Sequence, residues 1–100
     1  MISKFYGPYD YSKTVVENWK HALKGVYYCG NGSGQVANHY IGKATGIAGI
    51  RGRLLDHLDQ DYWPDVVHFW YRTCDTDREV DQLEILEIKR HQPKYNTQHV

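Results

Sequence analysis

Two short runs of strand-forming residues, Val26-Tyr27-Tyr28-Cys29 and Val36 to Gly42, flank the turn-rich segment Gly30-Asn31-Gly32-Ser33-Gly34. Nothing else in the chain constrains its fold as strongly. Glycine and asparagine tolerate the backbone angles of a tight reversal, so the two runs are expected to pair as an antiparallel hairpin. Helical spacing surrounds it. Val15, Val16, Trp19, Ala22 and Leu23 predict a helix over 11–23, capped by Ser12 or Asp10 and broken by Gly25. Residues 1–10, with Gly7-Pro8, are expected to be irregular. Beyond the glycine-rich connection Thr45 to Gly49, Ile50, Leu54, Leu55 and Leu58 predict a helix over about 49–60. Val66 to Thr73 reads as a third strand, and Asp75-Thr76-Asp77 as the start of a last helix over about 77–91, ended by Pro93. The expected order is α-β-β-α-β-α. It implies an α+β (α/β-class) fold in which helices flank a small three-stranded antiparallel sheet.

A chain of 100 residues makes one domain with a modest core. Residues 1–24 form an extension bearing the first helix, and 25–100 the body. Twelve basic and twelve acidic residues cancel, which argues mildly against a dedicated nucleic-acid binder but says nothing about a local basic patch. Cys29 and Cys74 lie far apart, so neither a zinc site nor a disulfide framework is expected, and free buried thiols fit a cytoplasmic protein. No apolar run is long enough to cross a membrane, and none is expected to. Most of the nine tyrosines are expected at core edges.

Chemistry enters through the last helix. Val80, Glu84 and Ile88 recur every four residues, which puts a carboxylate within an apolar stripe. Such a group calls for an arginine, a lysine or a metal ion. Glu87, one turn on, is expected to be a solvated partner of His91 or Lys94. Further polar residues stand out at Tyr27, Tyr40 and Lys43 around the hairpin and at Asn96 near the end. On the middle helix, Arg53 and His57 are neighbours four residues apart.

Gly25-Val26-Tyr27, followed by Tyr40-Ile41-Gly42-Lys43, resembles the two-part signature of the GIY-YIG nuclease superfamily, with Val26 in place of isoleucine. Ile50-Arg51-Gly52-Arg53-Leu54 resembles its arginine motif. Glu84 through Pro93-Lys94-Tyr95-Asn96 resembles its C-terminal block, as in the nuclease domain of bacterial excision-repair endonucleases. The resemblance spans residues 25–96 and implies a metal-dependent endonuclease acting on DNA, with RNA left open. It implies catalytic roles for Tyr27, Tyr40, Lys43, Arg53, His57, Glu84 and Asn96. Tyr27 is then the general base, Arg53 the phosphate-stabilising arginine with Arg51 its competitor, Asn96 a brace, and Glu84 the ligand of one Mg²⁺ or Mn²⁺. A single carboxylate suits one metal ion rather than two. A phenol of pKa ~10 acts as a base near neutrality only with roughly 4 kcal/mol of differential stabilisation, for which Lys43 and the metal are the expected sources.

The rival expectation is the same fold kept as a catalytically idle module that binds nucleic acid or protein. Either way, so small a domain needs targeting from residues 1–24, from a homodimer or from a separate targeting protein. The 11–23 helix is expected to pack on the sheet or at a dimer contact, since Val15, Trp19 and Leu23 need cover.

Overall fold

The computed structural model describes residues 1–19, 22–31, 39–60, 63 and 65–96. Seven elements follow in order: β1 (Tyr6–Asp10), α1 (Lys13–Asn18), β2 (Gly25–Gly30), β3 (Tyr40–Ala44), α2 (Gly49–Gln60), β4 (His68–Thr73) and α3 (Asp77–His91). The four strands form one antiparallel sheet in the order β1-β4-β2-β3, so the molecule is an α+β fold with three helices. β2 and β3 pair as an antiparallel hairpin, as expected, with Tyr27 opposite Gly42 and Cys29 opposite Tyr40, although β3 is described over Tyr40–Ala44 and residues 32–38, which include the start of the expected second strand, lie outside the described residues.

Two expectations are corrected. The sheet has four strands rather than three, because residues 6–10 are not irregular but pair with β4, Tyr6 opposite Tyr71 and Asp10 opposite His68. Proline is compatible with an edge strand, where it removes no ladder hydrogen bond. Here the register shifts between Tyr6 and Tyr9, around Pro8. Tyr6 and Tyr9 stack over Tyr71, at 5.1 and 5.9 Å between ring centres, so aromatic contact holds a strand that no apolar alternation announces. The first helix is also shorter than 11–23. Ser12 caps it, its Oγ accepting from Val15 N at 3.2 Å, but it ends at Asn18. Trp19 turns extended and packs on Tyr71, while the Leu23 carbonyl accepts from Ile50 N at 2.8 Å. Tertiary bonding outcompetes the helical pattern there.

β2 is central and buried at every position, so its side chains supply both faces of the sheet. Tyr27 and Cys29 point to a core shared with Val16 of α1, Ile50 and Leu54 of α2, and Phe69 of β4. Val26 and Tyr28 point to the opposite core, with Trp70, Val80 and Leu83. Thus α1 and α2 cover one face and α3 the other, and the expected packing of the first helix on the sheet is seen through Val16. Both cysteines are free and buried. Among the described residues no helix is long and apolar enough to cross a membrane.

Candidate active site

Backbone alternation decides which side chains meet. In β3, Tyr40 and Gly42 face the α2 side of the sheet, with Ile41 and Lys43 on the α3 side. A Cβ on Gly42 would collide with the Tyr27 hydroxyl and with the ring carbon that carries it, so glycine creates the seat in which the Tyr27 ring lies. From that seat the Tyr27 hydroxyl meets His57 Nε2 at 2.8 Å. His57 projects from the buried side of α2 and contacts the rings of Tyr40 (5.6 Å) and Trp63 (4.4 Å). Burial, then the nearby Arg53 guanidinium, pushes the imidazole pKa down to about 4, so His57 is neutral near pH 7.

Tyr27 has no exposed surface, and burial raises its phenol above the ordinary value, with Arg53 pulling the other way. This corrects the expectation of a phenol lowered by Lys43. Lys43 lies on the other side of β3, its Nζ bonded to Asp81 Oδ1 at 2.8 Å. Tyr40 is only partly buried. Its phenol is raised by burial and then by Glu84, and Arg53 opposes both.

Glu84 approaches from α3, half-buried. Burial raises its carboxyl pKa, while Lys43 and Arg53 lower it and Asp81 raises it. Among the described residues its carboxylate makes no hydrogen bond or ion pair, and the ammonium of Lys43, which acts on it electrostatically, is bonded to Asp81. No group of three or more His, Cys, Asp or Glu side chains arranged for metal binding occurs among the described residues. Glu84 could hold a divalent cation only as a single carboxylate, with the remaining ligands drawn from outside the described side chains. Arg53 stands with this group, next to Tyr27, Tyr40 and Glu84. Arg51 instead donates to the Glu17 carbonyl at 3.0 Å, away from the site.

Asn96 bonds the backbone of β3 rather than the other candidate side chains. Its Oδ1 accepts from Ile41 N at 2.8 Å and its Nδ2 donates to Ile41 O at 2.9 Å. β3 is the other edge of the sheet, so the carboxamide satisfies backbone groups an edge strand leaves open. Next to it, Tyr95 N donates to the His39 carbonyl at 2.8 Å and Tyr95 Oη to Asp65 Oδ1 at 2.9 Å. Asn96 thus braces the strand carrying Tyr40 and Gly42.

Two features escaped the sequence. Trp63 stacks on Tyr40 at 4.5 Å and walls the site, but a lone tryptophan in a loop carries no signal of that. The fully buried carboxylate is Glu87, 1 % exposed, not Glu84. Glu87 accepts from the Tyr28 hydroxyl at 2.9 Å and lies 3.5 Å from His91 Nε2, so its expected pairing with His91 is present but its solvation is not. The spacing that locates it is Val80, Leu83, Glu87, at i, i+3, i+7, which is the stripe α3 buries.

Comparison with protein-family models, with curated proteins and with solved structures yields no match. The fold is a small α+β protein whose four-stranded antiparallel sheet places two tyrosines of the β2–β3 hairpin near a neutral histidine, an arginine and a carboxylate that has no hydrogen bond or ion pair among the described residues.

Proposed function

We propose that this protein is a GIY-YIG-type endonuclease that hydrolyses DNA phosphodiester bonds with one divalent metal ion. The observation that carries the reading is Glu84, a half-buried carboxylate with no hydrogen bond or ion pair among the described residues, near an arginine and a tyrosine. A structural carboxylate in that setting would be paired. Glu84 would hold Mg²⁺ or Mn²⁺, which when bound supplies charge to a phosphate oxygen and acidifies water. Arg53 presents a planar guanidinium to the phosphate and stabilises the charge that grows in the transition state. Lys43, on the α3 side of β3, supplies a second cation near Glu84. Tyr27 is the general base, and the pair it forms with His57 removes the need for a resting phenolate. As Tyr27 takes a proton from the attacking water, its own proton passes across the 2.8 Å hydrogen bond to neutral His57 Nε2. Tyr40 lines the approach, and Asn96 holds its strand.

One observation favours a second reading, an idle nucleic-acid-binding or protein-interaction module: Tyr27 is enclosed, with no surface of its own. One experiment separates the two. Supercoiled plasmid, linear duplex, single strand and a branched junction are incubated with Mn²⁺ or Mg²⁺ and with wild type or Glu84→Ala. Cleavage by wild type alone supports the nuclease. Binding without cleavage by a folded protein whose melting temperature ignores the metal supports the module.

A further inference from the structure

Lys43 and Arg53 line one open groove of about 390 Å³, floored by Gly46, Ala48 and Gly52. Only Arg53 presents its charge to the tyrosines; the Lys43 ammonium is bonded to Asp81, one turn before Glu84 on α3. The pair is open to solvent, with side-chain exposures of 46 and 54 %. One turn earlier, Asp77 binds Lys24 at 2.7 Å, so α3 neutralises a second lysine, which does not line the groove. Acids of α3 thus offset two lysines that border the sheet, Lys24 just before β2 and Lys43 on β3.

We propose that Asp81 is an internal competitor with nucleic-acid phosphate for Lys43. In the free protein its carboxylate positions the ammonium at the lip of the groove. When a strand lies in the groove, a backbone phosphate next to the scissile one takes the lysine over. Carboxylate and phosphodiester are both anionic acceptors for an ammonium, and an exposed pair is weak enough to be exchanged. Asp81 touches no substrate in this scheme and acts only through Lys43. The inference rests on the nuclease reading.

The test is equilibrium binding by the full chain in EDTA, where no cutting occurs. Fluorescence anisotropy of labelled single-stranded and duplex DNA oligonucleotides is followed for wild type, Asp81→Asn, Lys43→Met, the double variant and Asp77→Asn. Asp81→Asn is expected to bind about two- to five-fold tighter, the range an exposed ion pair can return. Lys43→Met is expected to bind more weakly, with a salt slope shallower by about one phosphate contact. In the Lys43→Met background Asp81→Asn is expected to gain nothing, and Asp77→Asn is expected to match wild type. A gain that persists without Lys43, or an equal gain from Asp77→Asn, would mean that only bulk charge matters and would overturn the proposal. Equal binding by wild type and Asp81→Asn overturns it while leaving the nuclease reading intact. Failure of every form to bind DNA removes the nuclease reading and this inference with it.

Discussion

Tyr27 and Tyr28 are consecutive on β2, both without exposed surface, and each hydroxyl meets a residue of a helix, yet the two faces of the sheet treat them differently. On the α3 face, Tyr28 donates to Glu87, and His91 and Arg90 approach the same carboxylate from one turn away, at 3.5 and 3.9 Å. The polar groups of that cluster are partnered within the protein. On the α2 face, Tyr27 meets a neutral histidine and the Arg53 guanidinium, and at the β3 edge Glu84 of α3 has no hydrogen bond or ion pair among the described residues. The same contrast runs along α3. Glu84 and Glu87 are three residues apart, one half-buried and unpaired among the described residues, the other enclosed and bonded. Burial of a charge identifies structure when the charge is satisfied, and points to function when it is not.

The strongest way to break this comparison is to truncate each carboxylate in turn. Glu84→Ala is expected to lower DNA cleavage at least ~100-fold, about 2.7 kcal/mol in the barrier, with stability within about 0.5 kcal/mol of wild type. Plasmid nicking and a thermal melt measure the two effects. A Glu84→Ala protein that cuts as fast as wild type would end the catalytic assignment of the open face. Glu87→Ala should do the opposite. It strands the Tyr28 hydroxyl in the core and opens a cavity, so a loss of about 2–4 kcal/mol in urea unfolding is expected. The double change Tyr28→Phe with Glu87→Leu removes both polar partners and should recover most of that loss. If it recovers none, Glu87 has a role the hydrogen bond does not describe.

A smaller effect probes how the open face is held. Asn96→Ala leaves the Ile41 amide and carbonyl without their partners at 2.8 and 2.9 Å. A destabilisation of about 1–3 kcal/mol is expected, with faster hydrogen exchange at the Ile41 amide than at Tyr28, whose strand is central. Equal exchange at the two would mean that β3 does not depend on the clamp.

The sequence shows why one face was easier to read than the other. Tyr27, Tyr40, Arg53 and His57 lie together as the hairpin pairing and the four-residue step from Arg53 to His57 lead one to expect, because such spacing is local and survives folding. The step from Lys43 to Tyr27 is not local. It depends on strand alternation, which sends Lys43 to Asp81 on the far side of β3. Glu87 was misjudged because a carboxylate near His91 and Lys94 looks solvated until Tyr28, 59 residues earlier, is known to reach it. β1 was missed for a related reason. Its residues are all exposed, so it has no buried face to imprint a pattern, and it is recruited by Tyr71 and Phe69 across the sheet. The acids of α3 that hold the lysines could be read as residues but not as pairs.

The smallest effect is on pH dependence, and it sharpens the comparison because it isolates the open face. His57 ionises near 6.5 when unfolded and at about 4 in the folded protein, since burial and Arg53 disfavour the imidazolium. Between those values the unfolded chain binds the extra proton, so stability must fall as pH drops from about 6.5 toward 4. Asp65, on the neighbouring loop, is lowered from 3.8 to about 2, mainly by the Tyr95 hydroxyl. Its contribution is intact above 3.8 and is lost only as pH falls toward 2. The two windows adjoin without overlapping, so each variant has its own signature in the melting temperature. His57→Gln should flatten the slope between pH 6.5 and 4 and leave the lower window alone, and Asp65→Asn should do the reverse. A His57→Gln protein that keeps the full upper slope would show that His57 is not the neutral acceptor the Tyr27 hydroxyl requires, and the proton path assigned to the open face would have to end elsewhere.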